Sequence, residues 1–285
     1  MSAHAPAWPS RLVVGGHSFI PELGNDPAVS FETQLALVSA CLDSGINGFD
    51  TTYEAERVAL GRVLDELGRR SEARLLAWNF FADPSSGAYL VGPTPYGEPH
   101  LDRMLQQLRT DRIDLLVVHP AGSAEEHAKQ VEVARRWRDA GRVGALGTWA
   151  PSEALLNRSP DPYAFFVHPR NPAQPSDQFF STGAAHGWRG FATSPFNRGW
   201  LLDTLVMAAH ADEGVQPEEA RTWLSDALLR FALFAPGVDH VIVGIRKLEW
   251  IERNRASLAS GPLAENESAR LMRLFERTRE SHGRS

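Results

Sequence analysis

The sequence predicts an α/β fold of the closed (β/α)8 kind, the TIM barrel, on three observations. Short apolar runs alternate with longer amphipathic ones, the pattern of parallel strands joined by crossover helices. Eight such runs occur, enough to close a barrel. The 285 residues, 43% of them hydrophobic, suit one barrel, and no shift in composition divides them, so residues 1–285 are read as one domain.

Taken in order, residues 12–16 form the first strand. An amphipathic segment with a start signal at Ser30 leads to the second, 46–50. The third covers 74–79, and the fourth, 112–119, is the clearest. Residues 143–149, 165–168, 190–194 and 240–244 supply the rest. Helical patterns fall between them at 101–108, 124–140 and 217–234, the last opened by Pro217 with Glu218 and Glu219 in its first turn. Two connections, 80–99 and 169–187, are long and rich in turn-forming residues, which suits either lids over a site or surface loops.

Charge and composition narrow the partners. A net charge of −6 and a pI near 5.9 argue against nucleic acid or an anionic membrane surface. No run of about 18 apolar residues is present to span a bilayer, and the N-terminus lacks a basic region followed by a hydrophobic one. The single cysteine, Cys41, sits on the apolar side of a helix and fits a reducing, cytoplasmic setting. A small-molecule substrate is the expected partner; oligomeric state leaves no signal.

In such barrels the chemistry gathers where strands end at the C-terminal mouth. His17, Asp50, Thr52, Tyr53, Asn79, His119, Thr148, Trp149, His168, Arg170 and Asn197 all fall there. Each polar group buried there costs a few kcal/mol unless it is bonded, so their convergence points to a site. Trp78, Trp149, Phe80 and Phe81 add aromatic surface for a pocket or for core packing. His17, Asp50, His119 and His168 could also supply metal ligands, but no close-spaced ligand motif is present, and no metal is expected.

Four stretches then resemble one family, the aldo-keto reductases. Gly48-Phe49-Asp50-Thr51, followed by Tyr53 and Leu60-Gly61, resembles the family's Asp and Tyr motif. Leu108 to Leu115, ending at His119, is similar to its signature helix, strand and histidine. Thr193 to Gly199 resembles its Ser-Pro-Leu segment, and Val241 to Lys247 with Asn254 resembles the segment that grips the adenosine phosphates of NADPH. The resemblance implies catalytic roles for Asp50, Tyr53 and His119, and cofactor contacts from Gly244, Arg246, Lys247 and Asn254.

The family's chemistry also needs a lysine, which lowers the phenol's pKa and pairs with the aspartate. The third strand ends Ala77-Trp78-Asn79, so Asn79 is expected in the lysine's place. Tyr53 follows Asp50 more closely than the family's spacing. The nicotinamide end departs too, with Trp149-Ala150 where the family has Ser-Asn, Val167 for a glutamine and Thr193 for a stacking aromatic. The expected cofactor is therefore either none or NADPH held by its adenosine phosphates.

Three functions follow. The first is a non-redox acid–base enzyme performing elimination, isomerisation or lyase chemistry on a small polar substrate. In it Asp50 is the base, Tyr53 the acid, and His119 with His17 or His168 steadies an oxyanion, while Trp78, Trp149 and Arg170 line the pocket. The second is an NADPH-dependent carbonyl reductase. The third is a non-catalytic binding or regulatory protein. The paired loss of lysine and nicotinamide contacts favours the first.

Overall fold

The structure, a computed structural model, describes residues 7–20, 29–82 and 90–282. In chain order its elements are β1 (Leu12–Val14), α1 (Phe31–Asp43), β2 (Gly48–Thr51), α2 (Glu54–Leu67), β3 (Arg74–Trp78), α3 (Pro99–Leu108), β4 (Ile113–Val118), α4 (Ala124–Asp139) and β5 (Val143–Trp149). They continue as α5 (Glu153–Leu156), β6 (Phe165–Pro169), α6 (Asp177–Ala185), β7 (Arg189–Thr193), α7 (Trp200–Glu213), α8 (Pro217–Leu233), β8 (His240–Val243), α9 (Leu248–Ser260) and α10 (Glu265–His282). Each strand pairs in parallel with its sequence neighbours, and β8 closes on β1, with Val13 opposite Ile242.

All eight strands stand where the apolar runs place them, with ends moved by a residue or two. Ser30 caps α1, its hydroxyl accepting the Thr33 N–H at 3.2 Å. One connection differs from expectation. The stretch 169–187 is not loop throughout, because α6 occupies its second half and anchors there by burying Phe180 against Phe166, 5.2 Å between ring centroids. In 80–99, residues 83–89 lie outside the described residues. The part that follows packs on the barrel wall, where the buried Tyr96 hydroxyl donates to the Val117 carbonyl at 3.1 Å.

Successive strand residues face opposite sides, and this sorts the core into two layers. Val13, Leu76, Leu115, Val117, Phe165, Val167, Phe191 and Ile242 fill the barrel interior. Phe49, Leu75, Leu116, Phe166 and Val241 pack outward under the helices. At the N-terminal end Trp8 plugs the barrel, with its ring 6.0 Å from Phe165 and 6.2 Å from His240. Chemistry is left the opposite end. Cys41 is buried under α1, and desolvation pushes its thiol up to about 12, which suits a core residue and not a nucleophile. Among the described residues no helix is long and apolar enough to cross a membrane.

Candidate active site

Strand parity decides which side chains reach the mouth. Asp50 lies one residue before the end of β2, Trp78 lies two residues beyond the inward Leu76, and His119 two beyond the inward Val117. Trp149 joins them at the end of β5. The rings form a continuous cluster: His119 stacks on Trp149 at 5.8 Å, Trp149 meets Trp78 edge-on at 5.6 Å, and Phe80 meets His119 at 5.4 Å and Tyr53 at 5.5 Å.

Asp50 is buried, and its Oδ1 accepts the Trp78 indole N–H at 2.6 Å. The carboxyl is pushed up to about 7, first by burial and then by the negative charge of Glu56, against the opposing pull of the Trp78 hydrogen bond. A carboxyl so placed exchanges a proton near neutrality. The indole is thus the donor that meets the aspartate where the resemblance predicts an ammonium.

Glu56 is the group that sequence reasoning missed. It sits on the first turn of α2, fully buried, and its Oε2 accepts the N–H groups of Thr52 at 2.6 Å and Tyr53 at 3.0 Å. Its Oε1 lies 2.7 Å from Nδ1 of His17. The His17 ring stacks on Tyr53 at 5.8 Å, 20° from parallel. Burial, then Glu56, raise the Tyr53 phenol above its ordinary 10, while the charge of Arg198 pulls the other way. The phenol is therefore a neutral proton donor. Arg198 arrives on a turn after β7 where Ser194, Asn197 and Arg198 all adopt left-handed conformations, φ 57°, 45° and 59°.

Arg57, one residue on, is fully buried and ties this corner together. It donates to the carbonyls of Thr52 at 3.1 Å, Trp78 at 3.2 Å and Phe80 at 2.8 Å, and to Gln107 at 2.8 Å. Its guanidinium therefore fixes the backbone around Tyr53, Trp78 and Phe80 at once. Nothing in the helical pattern of α2 marked Glu56 or Arg57; polar residues in a first turn read as solvated.

Asn79 is not in the lysine's place. One residue past Trp78, it faces the helices and is fully buried there, where its Oδ1 accepts the His119 N–H at 2.8 Å and its Nδ2 donates to the His119 carbonyl at 2.9 Å. It holds the backbone that carries His119. The His119 ring is set by its own successor: Nδ1 lies 2.9 Å from the Pro120 carbonyl, which can only accept, so Nδ1 carries the proton. Desolvation lowers the ring's pKa, and the neutral imidazole keeps Nε2 as an acceptor.

His168 is held in the same way, Nδ1 3.0 Å from the Pro169 carbonyl, but parity turns it outward. It packs on Phe179 of α6 at 4.4 Å and leaves the pocket. Arg170 also points outward, pairing with Asp177 at 2.6 Å and stacking over Phe231 at 4.1 Å. Phe81 packs under Arg57 and Tyr96, in the wall. Thr148 donates to the Val118 carbonyl at 3.3 Å, on the outer face. With His168 turned away the four candidate metal ligands do not converge, and among the described residues no three His, Cys, Asp or Glu side chains are arranged to hold a metal ion.

Trp149 fills the mouth, and Val167 is buried apolar core without a hydrogen-bonding group for a carboxamide. Arg246 is buried and folded back, its Nη2 donating to the carbonyls of His17 at 2.5 Å and Ile20 at 3.0 Å. Gly244 and Lys247 are exposed, Lys247 lying 5.6 Å over Trp250, and Asn254 is buried on α9. The nicotinamide end does not fit this mouth. At the phosphate end the exposed Lys247 is the one predicted side chain left open to a ligand.

A closed (β/α)8 barrel with an acid, a phenol and a histidine at its C-terminal mouth is the architecture of a barrel enzyme. The family model for the aldo/keto reductase family matches residues 11–276, and the chain belongs to that family. No curated protein matches it at a significant level. Among solved structures it is similar to the aldo-keto reductase AKR11C1 from Bacillus halodurans in its holo form, at 17% identity and TM-score 0.73, with 95% of this chain and 94% of that one covered. It is also similar to the glycerol dehydrogenase AKR11B4 from Gluconobacter oxydans, at 17% identity and TM-score 0.70, covering 98% and 97%. Such identities show a shared fold.

Proposed function

We propose that the chain is a non-redox enzyme on the aldo-keto reductase fold, moving protons on a small polar substrate of the hydroxy-carbonyl type. The observation that carries this is the 2.6 Å hydrogen bond from the Trp78 indole to Asp50. An ammonium there would hold the aspartate ionised and ease the phenol's proton loss, whereas a neutral indole leaves a carboxyl near 7 and a phenol above its ordinary 10. Asp50 is then the base for a carbon-bound proton, and Tyr53 the acid for the carbonyl oxygen. His119 takes a part different from the expected electrophile: its Nε2 accepts a substrate hydroxyl. The working location is cytoplasmic.

Membership in a family that usually uses NADP(H) favours a second reading, an NADPH-dependent carbonyl reductase. The two separate on purified protein. The acid–base reading expects no quenching of NADPH fluorescence at micromolar protein and loss of substrate conversion in Asp50→Asn and in His119→Ala. Micromolar NADPH binding with turnover of a simple aldehyde establishes the reductase instead.

A further inference from the structure

The His17–Glu56 pair stands beside Tyr53 in the mouth. Glu56 accepts from two backbone N–H groups through Oε2, so its Oε1 faces His17 Nδ1 as an acceptor at 2.7 Å. In the neutral imidazole the proton then sits on Nδ1, and Nε2 carries the lone pair. The backbone that carries the ring is held as well, because the His17 carbonyl accepts from Arg246 at 2.5 Å. Glycine at position 16 is needed for this, since a Cβ there would collide with the Glu56 carboxylate. The His17 side chain is 38% exposed while Glu56 is 0%, so a buried carboxylate orients an accessible imidazole. That imidazole lies face to face with the Tyr53 ring.

We propose that His17, oriented by Glu56, is the base for a substrate hydroxyl, and that with Asp50 and Tyr53 it makes the site an isomerase of α-hydroxy carbonyl compounds. The assignment rests on the acid–base reading above and names its reaction. Asp50 takes the proton from the hydroxyl-bearing carbon; the C–H pair becomes a C=C bond, and the carbonyl oxygen takes the Tyr53 proton, giving an enediol. His17 Nε2 then takes the proton of the original hydroxyl, that oxygen becomes the new carbonyl, and the C=C pair recovers a proton from Asp50 on the neighbouring carbon. His17 passes its proton to the adjacent Tyr53 phenolate, and every group is reset. Glu56 is a positioning residue.

Hydroxyacetone in deuterated water tests this with two readouts, exchange of the carbinol C–H and formation of lactaldehyde. Exchange needs Asp50 and Tyr53, and isomerisation needs His17 as well. In His17→Asn, and in Glu56→Gln, whose amide N–H flips the imidazole tautomer, the ratio of isomerisation to exchange falls at least about tenfold. An unchanged ratio with exchange intact overturns the His17 assignment alone. No exchange in the wild type overturns the acid–base reading and the isomerase with it. The orientation is read independently by 15N NMR of His17: Nε2 is unprotonated in the wild type and protonated in Glu56→Gln, and a protonated Nε2 in the wild type overturns the dyad.

Discussion

Trp78 donates its indole N–H to Asp50 at 2.6 Å, and this bond opposes the burial that raises the carboxyl. It is the strongest influence lowering the Asp50 carboxyl against burial and Glu56. Trp78→Phe keeps the ring and removes the donor, so the carboxyl rises above about 7. Trp78→Lys sets an ammonium beside it and lowers it into the acidic range. A 13C NMR titration of the Asp50 carboxyl reads both, and a value unmoved by Trp78→Phe contradicts the account.

The same carboxyl ties stability to pH. Asp50 has an ordinary pKa of 3.8 in the unfolded chain and about 7 when folded. Below 3.8 both states hold the proton and the contribution is complete. As pH rises the unfolded chain ionises first, so stability is lost progressively and the loss is finished above about 7. The gap corresponds to on the order of 4 kcal/mol. Asp50→Asn cannot ionise, so its urea-unfolding stability declines less between pH 4 and 8 than that of the wild type.

The barrel was legible in the sequence because alternating apolar runs are a physical requirement of strands covered by helices. The mouth was legible to the extent that parity was applied. Asn79 and His168 both follow an inward residue, Trp78 and Val167, so period two alone turns them outward. Ending the third strand at Asn79 instead of Trp78 concealed the donor to Asp50. Glu56 and Arg57 were hidden for another reason. Their burial depends on Gly16, Gln107 and the Phe80 carbonyl, which approach from distant parts of the chain. Arg246 matched a phosphate-binding pattern, yet three-dimensional proximity gives it the His17 and Ile20 carbonyls.

Arg57 carries the corner's stability. Arg57→Ala leaves the Thr52, Trp78 and Phe80 carbonyls without their donor and opens a cavity beneath Phe81. Loss of such a buried charged hub costs about 3–5 kcal/mol. Arg57→Lys retains charge but cannot reach three carbonyls and Gln107 together, and it recovers less than half of the loss. Chemical denaturation measures both; a loss under about 1 kcal/mol in Arg57→Ala contradicts a clamping role.

Trp149 packs at the mouth between Trp78 and His119. Its indole stacks on His119 at 5.8 Å and meets Trp78 at 5.6 Å, filling the space between the ends of β3, β4 and β5. Trp149→Ala removes that volume and leaves Trp78, His119 and Asp50 as the walls of an open cleft. If obstruction is what opposes the cofactor, NADPH affinity rises at least about tenfold, which corresponds to 1.4 kcal/mol. Fluorescence quenching of bound NADPH in wild type and variant measures this directly. Equal affinity in the two would assign the misfit to the missing polar partners, with Val167 the first to replace by glutamine. Removing the indole also costs about 3–5 kcal/mol of stability, so the titration is made on protein whose thermal unfolding shows it folded at the working temperature.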